Sequence, residues 1–313
     1  MNVLVTGSSG YLASLVLPRL AADPGVKNLI GLDVRPPRIP NSRVRHFSGD
    51  VLDPELRSLL ERERTDLVLH LAWVFNPTHD REAMRRIDVD GTRNVLEAAY
   101  AARVQHVVYL GSTTAYGAHA TNPPRLKESA PTPGSSFPYA ADKAAVEVWL
   151  DRFAHEHPDL SLTRVRSCIV LGKRVDNFVR AILDLAVLFQ IRGHDPEMQF
   201  LHEDDLADCL ALIVARRPRG VFNIAPEDTI KLTEIGTALG KRVVALPAGL
   251  LYPMVRALWA THLFMTPASY LDFVRWPWLA DVTRMREVLG FTPCHGSRAA
   301  LAAMRERSLA RHL

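Results

Sequence analysis

The stretch "NVLVTGSSGYLAS", residues 2–14, decides the fold. An apolar, β-rich run leads into Gly7, Gly10 and Ala13, and a helical pattern starts at Tyr11 and continues to about Ala22. Small residues in a G-x-x-G-x-x-A pattern permit a tight turn, close approach of backbone to a pyrophosphate, and close packing of helix on strand. The helix N-terminus adds N–H donors and a positive dipole end. Two glycines alone are a weak signal. Here they follow a strand, open a helix, and are followed by Asp33 at the end of the second strand, about twenty residues on. Asp33 can accept from both ribose hydroxyls of an adenosine; its other reading is a turn residue before Pro36-Pro37. The stretch therefore reads as a dinucleotide-binding loop.

Outward from it, short apolar runs alternate with helical patterns. "NLIGLDV" (28–34) and "VRHFSGDV" (44–51) follow, then a helix expected to be capped by Asp53 with Pro54 at its first position. "DLVLHLAW" (66–73), a long helix through "RRIDVDGTRNVLEAAYAA", "HVVYLGSTT" (106–114), a helix from Tyr139, and "LTRVRSCIVLG" (162–172) complete the series. Continuous apolar strands between helices imply a parallel sheet covered on both faces. The expectation is an α/β, doubly wound Rossmann domain over 1–172. A smaller, mainly C-terminal substrate lobe is expected over 173–313, some of its strands and helices returning to the core. Helical pieces are expected at 175–190 and 204–215, and strands at "VFNIA" and "KRVVALP". The Pro/Ser-rich "TNPPRLKESAPTPGSSFP" (121–138) is a long loop just before Tyr139, and loops of that length in compact domains are often functional.

Composition narrows the partners. The 313 residues are 48% apolar and 23% charged, ordinary for a soluble globular protein with a large core. Cys168, Cys209 and Cys294 have neither metal spacing nor an even count, which fits a reduced, cytoplasmic compartment. The net charge is +4, and basic runs such as "RRPR" (216–219) and "RERSLARH" (305–312) read as solvated faces rather than a nucleic-acid footprint. No basic leader precedes an apolar run at the start, so no signal peptide is expected. "LPAGLLYPMVRALWATHLFM" (246–265) carries Pro253, Arg256 and His262, which argues against a membrane span. It reads either as a helix lining an apolar pocket or as an interfacial helix.

In "PYAADKAAVEVWL" (138–150), Tyr139 and Lys143 lie one helical turn apart. Alone, that spacing describes an ordinary amphipathic helix. With "TGSSGYLA", Asp33, "GDVLD" (49–53), "HLAW" (70–73), "VDGTRNVLEAA" (89–99), "VVYLGSTTAYG" (107–117), "FLHEDDLADCLAL" (200–212) and "ADVTRMREVLGFTP" (280–293), it resembles the extended short-chain dehydrogenase/reductases, the NAD-dependent epimerase/dehydratase family. The likeness covers most of the chain. It implies an enzyme with a nicotinamide cofactor, NAD with NADP not excluded, acting on a small molecule, and a homodimer. Ser112, Tyr139 and Lys143 become the implied catalytic residues. A secondary alcohol loses a hydride only if its hydroxyl proton leaves too, and the acceptor's pKa should lie near operating pH. A tyrosine, near pKa ~10, needs help, and a fixed ammonium nearby favours the phenolate.

The resemblance also implies cofactor contacts from Gly7, Ser9, Gly10, Tyr11 and Leu12, from Asp33, Asp50 and Val51, and from Leu71 and Ala72, as well as from Tyr139 and Lys143. His70 beside them is equally a buried, satisfied histidine. Thr113, Thr114 and Asn177 are implied substrate contacts, although the two threonines could equally be strand packing. His202, Asp204 and Asp205 suggest metal ligands on paper; Asp205 is expected to cap the following helix instead, and no metal is assigned. Two departures concern substrate. Asp88 stands where the family pattern N-V-x-G-T has asparagine, and Met198 holds the place of an arginine that contacts the diphosphate in nucleotide-sugar members; a later R-x-G-D is absent. Trp259, Phe264, Tyr270, Phe273, Trp276 and Trp278 either pack the lobe or line a pocket for a less polar substrate. Three functions follow. The first is an oxidoreductase acting at a secondary alcohol or ketone. The second is a nucleotide-sugar epimerase or dehydratase that recycles NAD. The third, disfavoured by the intact Ser112, Tyr139 and Lys143, is a non-catalytic NAD(P)-binding regulator.

Overall fold

The computed structural model describes residues 1–38 and 40–310. Its first part runs β1 (Asn2–Thr6), α1 (Tyr11–Ala22), β2 (Asn28–Asp33), β3 (Val44–Ser48), α2 (Leu56–Arg62), β4 (Leu67–His70), α3 (Arg81–Arg85), a π-helical turn (Arg86–Asp90), α4 (Gly91–Ala101), β5 (His106–Ser112), α5 (Pro138–Glu156) and β6 (Ser161–Ser167). The rest runs β7 (Ile169–Leu171), α6 (Phe178–Asp184), β8 (Val187–Ile191), β9 (Glu197–Met198), β10 (Phe200–His202), α7 (Glu203–Arg216), β11 (Gly220–Ile224), β12 (Ile230–Lys231), α8 (Leu232–Leu239), β13 (Arg242–Leu246), α9 (Ala248–Ala260), α10 (Thr283–Glu287) and α11 (Ser297–Ala310).

Seven strands form one parallel sheet in the order β11-β6-β5-β4-β1-β2-β3. Strand periodicity explains the layers. Val3, Val5, Leu67 and Leu69 point into the core shared with α1 and α7, whereas Leu4 and Val68 point into the core with α2, α4 and α5. Every one of these six side chains is buried, so the strands read as unbroken apolar runs. Strand order reverses between β1 and β4, and doubly wound sheets bind ligands in the crevice at the carboxyl ends beside such a reversal. The chain is thus α/β and doubly wound, as the sequence leads one to expect.

Three local expectations fail. The helix expected at Asp53 starts at Leu56, because the Asp53 carboxylate accepts from the Glu55 N–H (2.9 Å) and makes a turn of its own. The segment 175–190 is a short helix followed by β8, which pairs in parallel with β13 more than fifty residues on. A run of apolar residues does not by itself distinguish strand from helix. The expected strand 162–172 breaks at Cys168, whose N–H bonds to the Ile224 carbonyl (3.1 Å); β7 then pairs with β10 outside the main sheet. In the basic run 305–312, Arg305 donates to the Ala238 carbonyl (2.9 Å), and residues 311 and 312 lie outside the described residues.

Candidate active site

The β1–α1 turn is built as the glycines require. Gly7 sits at φ +67°, and a Cβ there would come within 2.6 Å of the Ala72 backbone nitrogen, so turn and β4 approach as only glycine allows. Asp33 is buried at the end of β2. It accepts from the Ser9 N–H (3.0 Å) and the Arg35 N–H (2.9 Å), while the Arg35 guanidinium leans on it at 3.4 Å. The Ser9 hydroxyl is engaged elsewhere, donating to the Arg35 carbonyl (2.8 Å). Val51 and the exposed Asp50 lie on the loop after β3, where Gly49 N–H bonds to the Asp33 carbonyl. Ala72 N–H reaches the Thr6 hydroxyl at 3.4 Å. His70 is the satisfied core histidine: its two ring nitrogens meet Thr6 (2.6 Å) and Thr92 (3.0 Å), and burial pushes its pKa down to about 3.

Next to this turn lies a cavity of about 220 Å³, bounded by Gly7, Gly10, Tyr11, Leu12 and Leu71 at one end and by Phe178, Tyr270, Phe273 and Trp278 at the other. Ser112, Thr114, Tyr139, Lys143 and Asn177 all line it. Pro138 occupies the first turn of α5, where it needs no N–H partner, and one turn on Lys143 meets the carboxyl end of β5 at Tyr109 and Leu110. Tyr139 packs against Trp73 (6.1 Å between ring centroids), Phe75 (5.1 Å) and Phe137 (6.3 Å). Its hydroxyl is hydrogen-bonded by Ser112, whose Oγ also accepts from the Thr114 hydroxyl at 3.0 Å.

The electrostatics differ from the expectation in one respect. Burial pushes the Tyr139 phenol above the usual tyrosine range, and the force opposing it is the Ser112 hydrogen bond rather than Lys143. The Lys143 ammonium donates to the Leu110 carbonyl (2.8 Å) and the Tyr109 hydroxyl (3.3 Å), and lies 3.3 Å from the Trp73 ring centroid. Burial brings its pKa down to about 7, against the pull of Asp88, Glu147 and Asp142. Asp88, inside the π-helical turn, is wholly buried. One carboxylate oxygen accepts from Val74 N–H (2.7 Å) and the other has no partner; burial raises its pKa to about 7.

Two predicted roles are corrected. Thr113 does not reach the cavity: β5 ends at Ser112 and Thr113 opens a 3-10 turn (Thr113–Tyr116), where it is fully buried with its hydroxyl directed at the Ser167 carbonyl (3.4 Å). Asp205 does not cap α7; His202 does, accepting from Asp204 N–H (3.2 Å). The Asp205 carboxylate instead ties down the 294–295 loop through the N–H groups of Cys294 (2.9 Å) and His295 (3.0 Å). Trp73, Phe75, Phe137 and Phe178 were missed by the sequence reading. Only the aromatic enrichment of "AWVFNP" after β4 could have signalled the first two.

Residues 3–225 match the NAD dependent epimerase/dehydratase family, and the chain belongs to it. Among relatives, a UDP-glucose 4-epimerase of Mycolicibacterium smegmatis is 29% identical over 318 residues, covering 94% of each chain. An uncharacterised protein of Mycobacterium tuberculosis is 26% identical over 302 residues, 93% of this chain and 80% of that one. Among solved structures, MoeE5 in complex with UDP-glucuronic acid and NAD superposes with a TM-score of 0.77 at 25% identity, covering all of both chains.

The residues present fit the family's dinucleotide. Gly7 leaves a cradle that a Cβ would fill, a buried carboxylate, Asp33, ends β2 beside it, and the buried Ser8 hydroxyl and Trp73 indole N–H have no partner within the protein.

Proposed function

We propose that the chain is an NAD-dependent oxidoreductase acting at a secondary alcohol or ketone carbon of a substrate less polar than a nucleotide sugar. The observation that carries this is the cavity lining. Among the described residues lining it, Lys143 is the only basic one, Asp176 adds a negative charge, and Met198 is buried where a diphosphate-binding arginine would stand. A diphosphate needs charge-assisted donors. The other candidates lie outside this lining: Lys173 pairs with Glu306, Arg174 faces Glu203 (3.9 Å), Arg180 pairs with Asp184 (3.1 Å), and Arg275 stacks over Trp276 (4.5 Å).

Gly7, Gly10, Asp33, Leu71 and Lys143 would hold the dinucleotide, which when bound supplies the hydride acceptor or donor. Tyr139 exchanges the substrate's hydroxyl proton; with its pKa above the usual tyrosine range it stays protonated at neutral pH, the form that hydrogen-bonds a ketone oxygen. Ser112 orients that oxygen, and the aromatic wall keeps water from it. Asp33 favours a dinucleotide with a free 2′-hydroxyl, since its buried carboxylate already holds Arg35.

A second reading, nucleotide-sugar epimerase or dehydratase, is favoured by the relatives above. Calorimetric titration of the NAD-loaded protein with UDP, UDP-glucose and dTDP-glucose separates the two. Dissociation constants weaker than about 1 mM are expected, equivalent to ~4 kcal/mol. Micromolar binding of any of the three restores the nucleotide-sugar reading.

A further inference from the structure

A second cavity, of about 60 Å³, lies in the lobe directly behind the first. The two share the walls Ile169, Val179, Met198, Tyr270 and Val274. Beyond that junction the lining comes from α6, α8, α9 and β8, through side chains such as Ile182, Leu188, Leu232, Ile235, Leu251 and Val255. Apart from the Tyr270 hydroxyl and the Met198 sulfur, every side-chain atom on this lining is carbon. Ordered water needs two to four polar partners, and the side chains of this wall offer only the Tyr270 hydroxyl. A dry void forfeits the dispersion contacts of its lining unless something apolar fills it. Met198 belongs to both walls; an arginine there would put a charge at the junction, whereas a thioether lets an apolar chain pass.

We infer that this second cavity receives an alkyl or isoprenoid chain of the substrate, carried by the carbinol or ketone whose oxygen meets Tyr139. The inference rests on the oxidoreductase reading above and specifies its substrate class. A compact polar substrate would fill only the first cavity. A flexible hydrocarbon chain running from Tyr139 past Met198 and Tyr270 would fill both, and its affinity would come from apolar area removed from water.

The test uses full-length protein with bound NADH and a homologous series of methyl ketones from pentanone to tridecanone. Binding is measured by equilibrium dialysis and turnover separately by NADH absorbance. Each methylene entering the second cavity is expected to tighten binding about three- to fourfold, the ratio for a buried CH₂. Leu232→Trp and Val255→Phe each fill that cavity from a different helix and should end the increase at a shorter chain; retained NADH binding and circular dichroism identify the variants that fold. Affinity that stays flat with chain length in the wild-type protein overturns the inference. So does a length dependence unchanged in a folded variant. A length-dependent affinity without NADH oxidation supports the chain site and removes the oxidoreductase reading. Oxidation of NADH by short ketones with no length dependence does the reverse.

Discussion

Tyr139 carries its proton in an aromatic enclosure that raises its pKa, with one hydroxyl, Ser112, pulling the other way. Removing the oxygen while keeping the ring isolates that proton. Tyr139→Phe is expected to slow NADH oxidation with a methyl ketone by roughly two to four decades, the usual scale for a general acid–base group. NADH affinity by fluorescence titration should change little. Asp88 offers a different measurement. Its carboxyl, at about 7 in the folded chain against an ordinary 3.8, binds its proton more tightly folded than unfolded. Its contribution to stability is therefore complete below about pH 4 and is lost as pH rises toward 7. Lys143, depressed to about 7 from an ordinary 10.5, contributes in the opposite sense, losing stability as pH falls from 10.5 to about 7. Asp88→Asn removes the first effect and, with it, the pull of Asp88 on the Lys143 ammonium. Its urea midpoint should match wild type near pH 4 and exceed it increasingly toward pH 8; a constant offset would mean that Asp88 does not titrate there. Asp88 was visible in the sequence as a departure from an asparagine pattern, but its bond to Val74 and its bare second oxygen were not. They depend on how the π-helical turn rotates the side chain under the 73–75 segment.

Elements were legible where their signals are local. The β1–α1 unit reads directly, and α1 covers Tyr11–Ala22 as expected, because glycines, strand and helix sit together in the chain. β8 was illegible because its partner, β13, is distant and both are plain apolar runs. The bond between α3 and α5 was equally hidden. Asp142, wholly buried next to Lys143, pairs with Arg81 and, at 3.1 Å, with Arg85. That network pins the helix bearing Tyr139 to the helix leading into the Asp88 turn. Stripping one partner from a buried pair costs about 3–5 kcal/mol. The charges left behind here are partly exposed arginines that water can solvate, so Asp142→Ala should cost less, about 1–2 kcal/mol by urea unfolding. A change below about 0.5 kcal/mol, the range of ordinary surface substitutions, would show the network to be ornamental.

At the scale of the whole molecule, the family and its doubly wound sheet could be read from motif order, whereas the cavity could not. Its walls come from segments as far apart as Leu12, Phe75, Phe178 and Trp278. No helix among the described residues is long and apolar enough to cross a membrane, and the apolar 246–265 stretch directs Leu251, Val255 and Phe264 into the second cavity. The sheet's seventh strand, β11, comes from residues 220–224, and α7 packs on α1 across some 190 positions of sequence. A fragment of residues 1–172 is therefore expected to lack the fold, eluting as aggregate in gel filtration without a cooperative thermal transition; a monomeric, cooperatively melting fragment would contradict this. The placement of β11 also governs the order of events during synthesis. While the first six sheet strands are already outside the ribosome, β6 remains an open edge and α1 a bare apolar face until the polypeptide has grown past residue 224. Codon choice or chaperone supply over that interval should govern how much protein is recovered, more than any change within the first motif.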